Sequence, residues 1–209
     1  TLIDWLPRSD SHQDSATNVI SPANSGTPAG HDSSFVGRQP VFAYNAAKGS
    51  SLVENLFPTS EPAANPGASS GVTFEATAGS LSTYGSHCVR FPAGATVRYV
   101  YISLTSVVGR FYLAECYVEM DDGSQPVFGD NSGSSGLDAV WVIGARIAPV
   151  IGSPTYTNVT GNVWKVTATI EGDALVNPGN TGLVQYAGNS GKAFRVTALR
   201  LAEDLTGES

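Results

Sequence analysis

The sequence predicts an all-β protein: an antiparallel β-sandwich of the jelly-roll kind, preceded by an extended N-terminal arm. The composition is rich in glycine (23 residues) and proline (12 residues) and low in charged residues (14%), which is typical of strands joined by many turns. After residue 50, short apolar runs alternate with Gly- and Ser-rich turns, and none shows the 3.6-residue period of a helix. These observations together favour a sandwich or jelly roll.

The clearest strand signal is Phe111–Met120, which has a period of two over ten residues. Successive side chains of a strand leave opposite faces of the sheet, so its residues divide into two sets. One set is uncharged and is expected in the core: Tyr112, Ala114, Cys116, Val118 and Met120. The other mixes aromatics with carboxylates and is expected to be half-exposed or a contact surface: Phe111, Leu113, Glu115, Tyr117 and Glu119.

Seven further apolar runs of strand length are separated by turn residues. In one of them, Trp164 shares a face with three apolar residues and is assigned to the core. The predicted strands are Val72–Thr77, His87–Phe91, Val97–Leu104, Val140–Ile147, Val163–Ile170, Leu183–Tyr186 and Phe194–Leu201.

Residues 1–50 differ from the rest, and the sandwich is assigned to residues 51–209. Most of the first segment is polar and aperiodic, a composition that does not bury enough apolar surface to fold alone. One interpretation is a disordered arm. The other, which we favour, is an arm that docks onto a partner or a neighbouring subunit through its apolar cluster, because isolated aromatic anchors suit docking. That cluster consists of Leu2, Ile3, Trp5 and Leu6.

Charge and hydropathy exclude several classes of protein. The net charge of −7 opposes binding to a nucleic-acid backbone. No apolar run approaches the roughly 20 residues that span a bilayer. The start at Thr1 has no signal-peptide pattern and is expected if an initiator Met was removed in the cytosol. Cys88 and Cys116 are expected to be buried and reduced, since a disulfide would require their strands to be adjacent.

Three segments carry a resemblance to a known family: VENLFPTSE (Val53–Glu61), FYLAECYVEMDDG (Phe111–Gly123) and GKAFRVTALRLAE (Gly191–Glu203). In this order they resemble the β-sandwich of tailed-phage virion proteins, which is similar to the carbohydrate-binding modules fused to xylanases and cellulases. The resemblance implies a virion surface protein, such as a capsid decoration, head fibre or tail component, made in the host cytoplasm. It also implies other virion proteins as partners and a homo-oligomer, with a trimer favoured.

Glycan adhesion through the sandwich is a further expectation, because sugar binding needs exposed aromatic faces and planar polar groups on a rigid sheet. The candidate residues are Tyr117, Glu115 and Glu119 on the second face of the central strand. Trp141 and Arg146 in a later predicted strand are further candidates, but they fall on opposite faces of that strand, so only one of them can belong to the site. For each aromatic, the alternative is a place in the core or in a subunit interface.

A catalytic role is not expected. Glu115 and Glu119 would lie roughly 13 Å apart along a strand, whereas glycoside hydrolysis needs two carboxyl groups about 5–9.5 Å apart. The histidines lack metal-ligand spacing. The resemblance implies a structural calcium, for which acidic turns after the central strand supply oxygen donors; ordinary solvated turns are the alternative. The donors are Asp121, Asp122 and Asp130, with Asn131 and Asp138 nearby.

Two functions therefore remain open from the sequence. The first is a component of a phage particle whose arm binds the virion and whose sandwich faces outward. The second is a free-standing carbohydrate-binding module of a bacterial glycan-active enzyme or adhesin. The N-terminal arm favours the first.

Overall fold

The computed structural model describes the backbone of residues 40–45, 49–57, 61–172 and 178–204, and within these ranges the side chains from residue 55 onward. The described chain forms two six-stranded sheets and a separate two-stranded hairpin. Almost all strand pairs are antiparallel, and the only regular helical segment described is a single 3-10 turn at Gly79–Thr83. The predicted all-β antiparallel sandwich is confirmed.

Sheet I has the strand order β10-β9-β13-β6-β3, with β8 parallel to β9. Its strands are β3 (Ala68–Ser70), β6 (Arg98–Leu104), β8 (Phe128–Gly129), β9 (Ala139–Ile143), β10 (Arg146–Ile147) and β13 (Gly179–Gln185).

Sheet II has the strand order β11-β12-β7-β14-β5-β4. Its strands are β4 (Thr73–Ala76), β5 (His87–Phe91), β7 (Phe111–Met120), β11 (Val150–Thr160), β12 (Val163–Glu171) and β14 (Phe194–Glu203). The hairpin consists of β1 (Pro40–Asn45) and β2 (Gly49–Glu54), so that β1 and the start of β2 fall within the segment assigned to the arm. Residues 1–39 of that segment lie outside the described chain.

The main core fills the space between the two sheets. Strand β7 lies in the middle of sheet II, and its predicted inner set, from Tyr112 to Met120, is at most 2% exposed at every position. Phe194 of β14 stacks on Phe91 at 4.5 Å between ring centroids, and Phe128 packs against it from sheet I at 5.9 Å. The alternation read from the sequence therefore describes this central strand correctly.

The prediction of one strand over Val140–Ile147 is wrong, because the chain turns back within it. Ile143 pairs with Arg146, which leaves Gly144 and Ala145 as a two-residue hairpin loop. Both residues have positive φ, 62° and 68°, as a type I′ turn requires. Alanine seldom adopts this conformation, so the residues themselves give a weak turn signal.

Strand β11 was not predicted. Its sequence contains Gly152 and Pro154, which ordinarily interrupt strands. Here they lie at a bulge between Ile151 and Thr155, with Gly152 at φ 73°. Because β11 is the edge of sheet II, the missing N–H of proline costs the ladder little.

A bulge also reverses the faces of β14. The register with β7 shifts between Thr197 and Arg200, and Ala198 in the bulge has φ 51°. As a result Leu199 and Leu201, which uninterrupted alternation from Phe194 would place on the outer face, are 2% and 0% exposed and pack in the core.

The side chain of Asn55 satisfies the backbone groups that this bulge leaves unpaired. Its Nδ2 donates to the carbonyl of Leu199 (3.3 Å), and its Oδ1 accepts from the N–H of Leu201 (3.0 Å) and of Phe57 (3.2 Å). Asn55 is 1% exposed. One buried amide therefore ties the segment after β2 to the last strand of the sandwich.

The cysteines are free and buried, as predicted. Strand β14 separates β5 from β7, so Cys88 and Cys116 are not on adjacent strands. They also lie on opposite faces of sheet II, since Cys116 packs in the main core and Cys88 in a smaller outer cluster. Burial raises the pKa of the Cys88 thiol to about 11 and that of Cys116 well above its usual value. Trp164, which the sequence assigns to the core, is only half-buried.

Candidate functional site

The predicted glycan-binding residues of β7 do share the outer face of sheet II, but ion pairs hold one of them. Glu115 Oε2 lies 2.7 Å from Lys165 Nζ, and Glu115 Oε1 lies 3.6 Å from Arg200 Nη1. The Glu115 side chain is only 14% exposed. Glu119 lies opposite Arg195 in the register of β14. Both carboxylates thus face cationic neighbours of the same sheet.

Tyr117 is part of a small hydrophobic cluster on this outer face. Its ring stacks on that of Tyr84, with centroids 4.2 Å apart and planes 14° from parallel. The pair packs on buried Leu81, Cys88 and Val163, beside the 3-10 turn. One face of the Tyr117 ring is therefore covered, and its main contribution is to fasten the turn to the sheet.

Trp141 is wrongly placed among the candidate glycan-binding residues. It is 1% exposed and lies in the main core, where its ring meets Phe128 edge-on at 6.1 Å. Because β9 turns back at Gly144, Arg146 belongs to the separate strand β10 and is exposed. A ring enclosed in the core cannot stack on a sugar.

The three candidate calcium ligands are not brought together. Asp121 forms ion pairs with Arg90 (2.6 Å) and Arg195 (2.9 Å). Hydrogen bonds from Ser124, with Lys192 nearby, lower the pKa of Asp122 to about 2. Asp130 Oδ2 accepts a long hydrogen bond (3.4 Å) from the N–H of Val150.

Within the described ranges, no three acidic, histidine or cysteine side chains are grouped closely enough to hold a metal ion. At the loop 131–134, backbone carbonyls converge instead on an amide: Asn189 Nδ2 lies 3.4, 3.5 and 3.1 Å from the carbonyl oxygens of Asn131, Ser132 and Ser134. Asn189 Oδ1 accepts from the N–H of Tyr186 (2.8 Å), which fixes the orientation of the amide. A neutral donor thus occupies the position toward which these oxygens point.

The predicted docking residues of the arm, Leu2, Ile3, Trp5 and Leu6, lie outside the described chain. No helix among the described residues is long and apolar enough to cross a membrane.

A candidate site that the sequence interpretation missed lies on the outer face of sheet I. We call it the tyrosine face, and it consists of Tyr99 and Tyr101 of β6 and Tyr186 after β13. All three are half-buried and pack on a layer of valines that is at most 3% exposed. The valines are Val140, Val142 and Val184.

Small residues flank the tyrosines on both sides. Tyr101 lies opposite Ala68 on β3 and Gly182 on β13. A side chain at Gly182 would collide with the backbone, because an added Cβ would lie 2.0 Å from the Val100 carbonyl oxygen. Further along the same face, Ser103 and Asn180 are opposite one another and exposed. The tyrosine rings are therefore flanked by small residues, and the hydroxyl of Ser103 and the amide of Asn180 lie at one end of the row.

The tyrosine rings and hydroxyls form one group. Tyr99 and Tyr101 stack with centroids 4.5 Å apart and planes 15° from parallel. Burial raises the pKa of Tyr101 beyond its usual range, and the nearby Tyr186 and Tyr99 phenols add to the shift. Burial also raises the pKa of Tyr186. Among the described residues the three hydroxyls have no hydrogen-bond partner.

The two outer faces differ in charge. The outer residues of β3, β6, β9 and β13 in sheet I carry no charge, as their register shows. The outer face of sheet II carries Glu115 with its two cationic neighbours and Asp121 with another two. The sequence signal for the tyrosine face was the i, i+2 spacing of Tyr99 and Tyr101 in a predicted strand, but Tyr186 joins them only through the sheet pairing.

Neither a protein-family model nor a curated protein matches this chain.

Proposed function

We propose that this chain is a structural protein of a phage particle, exposed on the virion surface as a capsid decoration, head fibre or tail component, and that it adheres to a neutral glycan through the tyrosine face. The three segments that resemble phage virion modules support the particle role. The observation that carries the adhesive role is the uncharged cluster of Tyr99, Tyr101 and Tyr186 on a rigid sheet.

A glycan suits this face on chemical grounds. A sugar ring has apolar C–H surfaces that pack on aromatic rings, and hydroxyls that exchange hydrogen bonds with polar groups. The tyrosines supply the rings and three hydroxyls that have no hydrogen-bond partner among the described residues. Ser103 and Asn180 supply a further hydroxyl and a planar amide at the end of the row.

The absence of charge on the described strands of this face favours a neutral glycan over an acidic one. An anionic sugar is best held by arginine or lysine, and the chain as a whole has a net charge of −7, which repels anions at long range.

In this proposal the protein is assembled in the host cytoplasm and the virion is its final location. The arm cluster (Leu2, Ile3, Trp5 and Leu6) docks onto other capsid or tail proteins, and the sandwich points outward. A free-standing carbohydrate-binding module would use the same tyrosine face, so particle association separates the two functions. Mass spectrometry and antibody labelling of purified particles should find the chain on the virion; its absence there would favour the free-standing module.

The adhesive role is tested by screening the full chain against a panel of neutral and acidic glycans, followed by calorimetry on those that bind. Tyr101→Ala should weaken binding at least tenfold, about 1.4 kcal/mol, because it removes the central ring and hydroxyl. Tyr117→Ala, on the outer face of sheet II, is the matched control and should bind normally. If only Tyr117→Ala lost binding, the glycan site would lie on β7 instead. No binding to any glycan would refute adhesion.

A further inference from the structure

The stacking of Tyr99 on Tyr101 leaves each ring with one face turned away from the other ring. The rings lie within 15° of parallel with centroids 4.5 Å apart, and aromatic carbons approach no closer than about 3.5 Å. Each ring therefore covers one face of the other. Because the two residues are two positions apart on β6, the rings follow one another along the strand. The uncovered face of Tyr101 is turned toward Ser103, and that of Tyr99 toward Val97.

The residues beside the uncovered face of Tyr101 are polar. Ser103 is the next residue on this face of β6, and Asn180 lies opposite it on β13. Both are exposed, and neither side chain has a hydrogen-bond partner among the described residues. Gly182, opposite Tyr101, adds no side chain to the space beside the ring. A hydroxyl and a planar amide therefore lie in front of this ring face.

The uncovered face of Tyr99 is less suited to a sugar. The residue in front of it is Val97, an apolar side chain that is 47% exposed. Ser70 is polar and exposed, but it lies opposite Tyr99 on β3, beside the ring pair rather than in front of it. Since sugar recognition needs hydrogen bonds as well as ring contact, the Tyr101 side of the pair is favoured.

The space in front of Tyr101 has room for one sugar ring along the strand. A stacked sugar lies about 4 Å from the tyrosine ring, and Ser103 is about 6.6 Å along β6 from Tyr101, so the lower edge of the sugar reaches Ser103 and Asn180. Strand β6 ends at Leu104 and β13 begins at Gly179, one residue beyond this pair. The sheet therefore offers no support for a second ring in this direction, and the upper edge of the sugar faces solvent.

We propose that the tyrosine face binds a single neutral sugar residue, the terminal unit of a glycan, stacked on Tyr101 and hydrogen-bonded to Ser103 and Asn180. This inference rests on the adhesive role proposed above and names the part of the glycan that is recognised. The bond to the rest of the glycan leaves from the upper edge. Tyr99 acts as a positioning residue that supports the ring of Tyr101 from behind. Contact with one sugar is small, and many copies on one particle would raise the avidity.

Calorimetric titration of the full chain tests this inference. The probes are the methyl glycosides of glucose, galactose, mannose and N-acetylglucosamine, and linear oligomers of increasing length built from the same sugars. A methyl glycoside should bind within about threefold as tightly as its longest oligomer, because only one residue is contacted. An affinity that rises more than about tenfold with length, or binding of oligomers alone, would overturn the inference and leave adhesion standing. If no probe binds, the adhesive role fails and this inference fails with it.

The informative variants are Ser103→Ala and Asn180→Ala, with Ser70→Ala as the matched control on the other side of the ring pair. Each of the first two should weaken binding of the methyl glycoside about fivefold, the effect of one lost neutral hydrogen bond. The control should bind normally. All three positions are exposed, so the urea midpoint should not change. Unchanged binding in both Ser103→Ala and Asn180→Ala, or an equal loss in Ser70→Ala, would also overturn the inference.

Discussion

Replacing Asn55 by alanine should remove much of the stability of the sandwich although it deletes only a small polar group. The change leaves three backbone groups without their partner: the carbonyl of Leu199 and the N–H groups of Leu201 and Phe57. Asn55 is 1% exposed, so water does not readily replace it. A buried group left unsatisfied costs about 1–3 kcal/mol, and partial relaxation of the bulge brings the expected total to about 3 kcal/mol.

Urea unfolding followed by tryptophan fluorescence measures this cost. With an m-value of about 2 kcal/mol per molar, the midpoint should fall by about 1.5 M. The control is Asn158→Ala, which removes one hydrogen bond to the Gly161 carbonyl (2.9 Å) at an exposed site and should cost less than about 1 kcal/mol. If both variants lose the same small amount, Asn55 does not hold the bulge in the way described.

Three further predictions concern single contacts. Tyr156→Phe should lower the free energy of unfolding in urea by about 2 kcal/mol. The Tyr156 hydroxyl accepts from the N–H of Phe128 (2.9 Å) and donates to its carbonyl (3.0 Å), which links the two sheets. A loss under about 0.5 kcal/mol would show that water replaces the hydroxyl. Ala145→Asn should raise the thermal midpoint, with a gain of about 0.5–1 kcal/mol, since asparagine tolerates the positive φ of the hairpin loop; a lower midpoint would contradict this. Above pH ~10 the unfolded chain ionises its tyrosines, while the raised pKa keeps Tyr101 protonated in the folded state. The free energy of unfolding should therefore fall by at most about 1.4 kcal/mol per pH unit for this group. Tyr101→Phe should flatten this slope, and an unchanged slope would show that the pKa of Tyr101 is not raised by folding.

The sequence predicts the strands whose alternation is uninterrupted. Phe111–Met120 and His87–Phe91 have the predicted bounds, because each is an inner strand that needs one apolar face. Where the chain departs from regular alternation, the prediction fails for a physical reason. Ala145 holds a left-handed turn without being glycine or asparagine, and Pro154 is tolerated only because β11 is an edge.

The candidate site was less predictable than the fold, since it depends on which strands are neighbours. Alternation identifies Tyr99 and Tyr101 as sharing a face, but it does not say whether that face is inner or outer. Likewise alternation places Trp141 and its chain neighbours on opposite faces, but it does not show that the face of Trp141 is the one toward the core. The pairing of β6 with β13, whose paired residues are at least 75 positions apart in the chain (Leu104 with Gly179), brings Tyr186 and Gly182 beside Tyr99 and Tyr101.

The uneven distribution of charge between the two outer faces has a consequence for the conditions in which the protein works. Dissolved salt screens ion pairs on exposed surfaces but has little effect on contacts between aromatic rings and neutral hydroxyls. Rising ionic strength should therefore weaken the charge network around Asp121 and Glu115 on sheet II, whereas the attachment proposed for the tyrosine face of sheet I should keep its affinity. The proposed adhesion should therefore depend little on salt concentration.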